Sequence, residues 1–71
     1  MAVYKKIEIV GTSKNSIEEA IKEAIKRASK TIRNLKWFEI KEIRGSIEEG
    51  SPGEFQVVLQ VAFRIEESEK L

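Results

Sequence analysis

Phe55, Val57, Leu59, Val61, Phe63 and Ile65 alternate without a break with Gln56, Val58, Gln60, Ala62 and Arg64. Apolar residues at every second position mark a β-strand with one face in a core, because successive side chains point to opposite faces. Such a strand cannot stand alone; it needs paired neighbours and an apolar layer over its inner face. The chain must supply both within 71 residues, which reads as one domain spanning 1–71. A chain this short buries a limited share of its surface, and small domains usually need a staple. There is no cysteine and no histidine, so disulfides and the usual structural zinc sites are excluded. Idealised packing or self-association remains.

The other elements follow from changes of period. From Val3 to Thr12, Val3, Ile7 and Ile9 share one parity while Lys6 and Glu8 share the other with Tyr4 and Val10, predicting a half-buried strand. Ser16 followed by Glu19 has the spacing of a capping box, in which the hydroxyl takes the Glu19 N–H and the carboxylate reaches back. Ile17, Ala20, Ile21, Ala24, Ile25, Ala28 and Ile32 then recur at helical spacing. Glu18 and Glu19 at its start, with Lys30 and Arg33 at its end, complement the helix dipole. Glu18 with Lys22 and Glu23 with Arg27 are favourable pairs one turn apart, and Asn34 is a stop. A further strand is expected from Leu35 to Ile47 with imperfect alternation: Phe38 and Ile40 lie on one parity, Leu35, Trp37, Ile43 and Ile47 on the other. Either both faces are partly buried or a bulge switches the register. Glu49 to Gly53 reads as a turn, and Glu66 to Leu71 as a polar, frayed tail.

The order is therefore β-α-β-β, an α+β fold. The helix returns the chain, so the first two strands run the same way and the third, after a hairpin, opposes both. A fully antiparallel three-stranded sheet then needs the order 1-3-2, packed on one amphipathic helix. The helix covers one face only. Trp37, Ile43 and Val58 are expected on the other, and both outer strands are open edges, which predicts a homo-oligomer.

Composition excludes several functions. Net charge is +1, from 13 basic and 12 acidic residues interspersed along the chain, which argues against nucleic acid or a membrane surface as partner. No stretch approaches the roughly 20 apolar residues of a membrane span, and no signal-peptide pattern opens the chain, so a cytoplasmic protein is expected. Without histidine or cysteine the common general base and thiol nucleophile are missing; no catalytic residue, metal ligand set or phosphate loop is expected, and the chain does not read as an enzyme. Gly11 and Gly45 read as points of close backbone approach or a bulge. One constellation is left. Trp37 offers a flat aromatic surface, Gln56 a paired donor and acceptor, and nearby bases a charge for a phosphate. The alternative is a structural tryptophan and a surface glutamine, and residue types alone leave both open.

V-Y-K-K-I-E-I-V-G-T-S from Val3, W-F-E-I-K-E-I-R-G from Trp37 and F-Q-V-V-L-Q-V-A-F-R from Phe55 together resemble the dodecins, small flavin-binding proteins, across nearly the whole chain. The resemblance implies the same β-α-β-β order and a hollow homododecamer of tetrahedral symmetry. It implies flavins stacked in pairs at two-fold contacts, each against a tryptophan. Trp37 would be that stacking residue, and Gln56 would bond the polar edge of the isoalloxazine. Arg44 and Arg64 match arginines of bacterial-type members, where basic groups favour FMN through its phosphate; salt bridges between subunits are their plainer reading. Halophilic members are acidic and take riboflavin, so the implied ligand is FMN, with riboflavin and FAD as alternatives. Coenzyme A, a second ligand of some members, would use Lys5, Lys6 or Arg27. The implied function is flavin storage and photoprotective sequestration. The competing class is a structural or interaction homo-oligomer with a vestigial or coenzyme A-like site, which colourless protein would favour. A flavin-dependent oxidoreductase would need a nicotinamide site that no motif supplies. RNA binding on the sheet face would need steeply salt-dependent affinity.

Overall fold

The computed structural model describes residues 1–66. It contains β1 (Tyr4–Ser13), α1 (Ile17–Thr31), β2 (Leu35–Glu48) and β3 (Ser51–Arg64). The sheet is antiparallel in the order β1-β3-β2, as the topological argument requires. Past Glu66, the tail expected to fray lies outside the described residues.

Register explains the uneven alternation of β2. Val61, Leu59 and Val57 of β3 stand opposite Ile7, Ile9 and Gly11 of β1 and opposite Phe38, Ile40 and Ile43 of β2. Ile40 and Ile43 share a face although three residues apart, because Lys41 is a bulge between them. This corrects the expected placement of Ile43, which faces the helix side and not the open side. A second bulge at Lys36 sends Leu35 to the helix side and Trp37 to the open side, despite their common parity. A third irregularity falls where Gly45 pairs with Phe55 but Ile47 with Pro52.

The core forms where α1 meets β1 and β3. Ala20 and Ala24 pack on Val57, Leu59 and Val61, with Ile7, Ile9, Ile17, Ile21, Ile25 and Leu35 around them. Gly11 is what lets the helix sit so close: a Cβ there would overlap the carbonyl oxygen of Ala20 and lie 2.8 Å from Ala24 Cβ. The helix contacts β1 and β3 and leaves most of β2 bare. Phe38, Ile40, Ile43 and Ile47 are accordingly 46%, 40%, 50% and 82% exposed. The bare apolar surface is therefore on the helix side of the β2 edge as well as on the open face. Overall extents of 58 × 20 × 14 Å and a radius of gyration of 15.3 Å, against about 11 Å for a compact chain of this length, describe an elongated body with a large surface for its size.

Local chemistry sets the boundaries. Ser16 is extended and its hydroxyl accepts from Glu19 N–H at 3.0 Å, the expected N-cap. The reciprocal half of the capping box is replaced: the Glu19 carboxylate accepts from Ser13 Oγ at 2.6 Å and Asn15 Nδ2 at 2.8 Å, while Ser16 N–H donates to Ser13 Oγ at 3.3 Å. Both expected helix ion pairs form, Glu23 with Arg27 at 2.8 Å and Glu18 with Lys22 at 3.7 Å. The helix stops earlier than its apolar period, with Ile32 already extended. Asn34, at φ 66°, makes the left-handed step into β2, a conformation Asn tolerates. The hairpin is tighter than the composition of Glu49 to Gly53 implies. Only Glu49 (φ 52°) and Gly50 (φ 80°) lie in the turn, the two positive values of a type I′ hairpin. Pro52 instead pairs within β3, at a level beyond the last residue of β1 where a missing donor is tolerated.

Gly11→Ala must push α1 off the sheet. It should lower stability by about 1–3 kcal/mol, read as a fall in thermal midpoint, whereas Gly50→Asn should be nearly neutral because Asn accepts the turn.

Candidate functional site

The face away from the helix is built of rows set by register. Tyr4 is opposite Arg64, Lys6 and Trp37 flank Ala62, Glu8 and Glu39 flank Gln60, Val10 and Glu42 flank Val58, and Thr12 and Arg44 flank Gln56. No secondary-structure element among the described residues covers these rows. Ala62 is nevertheless fully buried and Val58 nearly so, because the long side chains beside them lie across the small central residues.

Trp37 is 43% exposed in the single chain, so it stands outside this chain's own core. Its ring is fixed from two sides. Tyr4 meets it edge-on, centroids 4.9 Å apart and planes at 61°, a favoured aromatic geometry. Its Nε1–H donates to Glu39 Oε2 at 2.9 Å. Lys6 Nζ in turn donates to both oxygens of Glu39, at 3.0 and 3.3 Å, reaching across the central strand from β1. The Trp37 bond, then the Lys6 bond, hold the Glu39 carboxyl below the usual glutamate range, and the charges of Lys6 and Lys41 act in the same direction. Glu19 is likewise lowered, by its bonds from Ser13 and Asn15.

Gln56 belongs to a second group. Its Oε1 accepts from Arg44 Nε at 2.8 Å and its Nε2 donates to Glu54 Oε1 at 3.3 Å. Arg44 Nη1 also bonds Glu42 Oε1 at 3.3 Å. Arg44 and Gln56 are thus brought together, and Arg44 sets which way the amide faces. Arg64 lies at the Trp37 end of the sheet, exposed, and makes no ion pair among the described residues.

Trp37 and Gln56 are not brought together within one chain. Ala62, the partner of Trp37, is six residues along β3 from Gln56, roughly 20 Å at about 3.4 Å per residue. One planar heterocycle cannot touch both in the same chain. Sequence reasoning missed Glu39 and Tyr4 as parts of the site. The spacing W-F-E held the signal for Glu39, since residues two apart on a strand share a face. Tyr4 and the bridging role of Lys6 depend on register across β3, which no local pattern displays.

A family model for dodecin matches residues 3–66. The chain belongs to the dodecin family. The dodecin of Thermus thermophilus is 59% identical over 66 residues, covering 93% of this chain and 96% of its own. The solved dodecin of Streptomyces coelicolor superposes with a TM-score of 0.88 at 45% identity, covering 94% of this chain and 96% of that one. More distant is a calcium dodecin from Mycobacterium tuberculosis, whose crystal structure is described as having a novel calcium-binding site; it matches with a TM-score of 0.78 at 30% identity, over 97% of this chain and 99% of that one. Dodecins are small binding proteins that self-associate, which agrees with the open face and bare β2 edge seen here. Ligands vary within the family, as the calcium-binding relative indicates. Among the described residues of this dodecin-family chain, no cluster of three or more acidic, histidine or cysteine side chains could hold a metal ion. No helix among them is long and apolar enough to cross a membrane.

The lowered values of Glu39 and Glu19 have a consequence for stability. A carboxylate favoured by the folded state contributes stability that is complete above its unfolded pKa and lost as pH falls through the lower folded one. The thermal midpoint should be level from neutral pH down to about 5 and decline below about 4, and Glu19→Gln should flatten part of that decline.

Proposed function

We propose that this single-domain chain, 1–71, binds FMN by stacking it on Trp37 at contacts between copies in a hollow homododecamer, and that it stores and photoprotects the flavin in the cytoplasm. The observation that carries the reading is the half-exposed indole, held at its N–H by Glu39 and at its edge by Tyr4 on an otherwise uncovered sheet face. An anchored aromatic plane needs little ordering when a ligand stacks on it, so more of the contact is retained as affinity. Membership in a family of binding proteins supports the same choice.

The roughly 20 Å between Trp37 and Gln56 supports placing the ligand where two chains meet, with the tryptophan of one and the glutamine of another addressing the same ring system. Gln56 would bond the polar edge of the isoalloxazine. Because Arg44 occupies Gln56 Oε1, the amide Nε2–H is the group left to turn from Glu54 toward a carbonyl acceptor. Arg44 then acts on the ligand through the amide, and Arg64, without an ion pair among the described residues, is the better placed to take a phosphate. That charge favours FMN over riboflavin. Coenzyme A, as a second ligand, would bind through its own phosphates at Lys5, Lys6 or Arg27.

Function follows from contact. When bound, flavin would supply the photochemistry as an excited-state oxidant, and Trp37, stacked against it, would serve as the electron donor. Donation and return at Trp37 would leave no net chemical change, and the excitation would be lost as heat. No substrate is consumed, so the chain acts as a store and not as an enzyme.

Titrating apo-protein into dilute FMN should quench flavin emission and saturate near one flavin per chain. Trp37→Ala should weaken binding by the roughly 1–3 kcal/mol of an aromatic stack and leave any bound flavin bright. Gln56→Ala should cost about 0.5–1.5 kcal/mol without restoring emission. Absence of quenching and of any binding heat with the unaltered protein would refute the flavin reading in favour of an interaction oligomer.

A further inference from the structure

The hydrogen bond from Trp37 Nε1–H to Glu39 is unusual in what surrounds it. A tryptophan on an open strand face normally turns its N–H to water, yet here a carboxylate two residues on takes it at 2.9 Å. That carboxylate is itself pinned by Lys6, which reaches over the level of Ala62 from the far edge strand. The result is a chain of contacts running across the whole sheet: Lys6 on β1, Glu39 and Trp37 on β2, with Tyr4 of β1 closing the ring edge. Each member removes a freedom from the indole. Tyr4 blocks rotation on one side, Glu39 fixes the N–H, and Lys6 fixes Glu39.

We infer that Glu39 is the positioning residue of the tryptophan platform, orienting the indole for stacking and placing a negative charge against its N–H so that Trp37 becomes a better electron donor. A positive charge that develops on the indole as it loses an electron sits against the Glu39 oxygen, and the carboxylate stabilises it more than it does the neutral ring. Lys6 tempers that field and holds the carboxylate in place. The electron count balances at Trp37: one electron would leave the indole and the same electron would return, with the proton staying on Nε1, hydrogen-bonded to Glu39. Orientation of the indole does not depend on flavin; the donor effect rests on the flavin reading above.

The groups that face Glu39 are few. Lys6 and Glu8 lie on β1, Gln60 and Ala62 on β3, and Trp37, Lys41 and Glu42 on β2, with no helix on this side. The Trp37 bond and then the Lys6 bond lower the carboxyl pKa, partial desolvation opposes them, and the charges of the two lysines add to the lowering. Acid therefore uncharges Glu39 only below the ordinary glutamate range.

Trp37 is the only tryptophan of the chain, so its emission reports this contact without interference. The experiment follows indole emission of the apo-protein from pH 7 to about 3, for the unaltered protein, Glu39→Gln, Lys6→Ala and Lys6→Arg, checking that each keeps the same assembly size. Expected are a step below the ordinary glutamate range in the unaltered protein, its loss in Glu39→Gln, a shift to higher pH in Lys6→Ala, and restoration by Lys6→Arg. A structural role alone would not produce that ordered shift. A Glu39→Gln profile that matches the unaltered one overturns the inference, with or without flavin. In a second arm FMN is added and its excited-state decay is timed, with binding followed separately by calorimetry. Glu39→Gln keeps the acceptor and loses the charge, so bound FMN should decay several-fold more slowly; an unchanged decay overturns the donor effect. Glu39→Leu loses both and should raise the FMN Kd by about tenfold. If calorimetry finds no FMN binding to the unaltered protein while the pH step is present, the flavin reading falls and the positioning of Trp37 by Glu39 stands.

Discussion

The helix rides on the sheet where neither surface has bulk, Gly11 of β1 facing Ala20 and Ala24, and this close approach decides what the remaining residues can do. It buries Val57, Leu59 and Val61 completely or nearly so under a single helix. The same approach commits the helix to β1 and β3, because a cylinder seated that low cannot also span a third strand. The β2 edge is left with Phe38, Ile40 and Ile43 half exposed. A tight local fit therefore creates the apolar surface that makes the chain a component of something larger.

The opposite face is governed by the small central residues Ala62 and Val58. Side chains from the two edge strands lie over them, so Lys6 from one side and Trp37 and Glu39 from the other come within bonding reach across a strand that separates them. A bulky residue at position 62 would hold them apart. The aromatic plane, its anchor and the anchor's counter-ion are in this sense consequences of an alanine.

Much of this was legible in the chain before any coordinates. The alternation from Phe55 to Phe63 placed β3 at the centre, and the Ile and Ala stripe from Ile17 placed the helix. What was not legible depended on register. Leu35, Trp37 and Ile43 share a parity, yet bulges at Lys36 and Lys41 send Leu35 and Ile43 to the helix side and Trp37 to the other. A bulge adds one residue and inverts every face assignment beyond it, and lysine carries no local mark of it. The helix end was misplaced for a similar reason: Ile32 continues the apolar period in an extended conformation that packing, not periodicity, selects. Among site residues, Trp37 was visible as an unpaired aromatic, and the bond between Arg44 and Gln56 rests on their being opposite one another, which only strand pairing reveals.

The slender body, 58 Å long and 14 Å across its thinnest direction, has a consequence in the economy of the cell. A fold that draws part of its burial from other copies is governed by mass action, so its folded fraction rises steeply with the number of chains made. At low concentration the exposed β2 edge would stay uncovered; at higher concentration association would cover it. How steeply that shift depends on concentration would be set by the exposed isoleucines of a single edge strand, Ile40, Ile43 and Ile47.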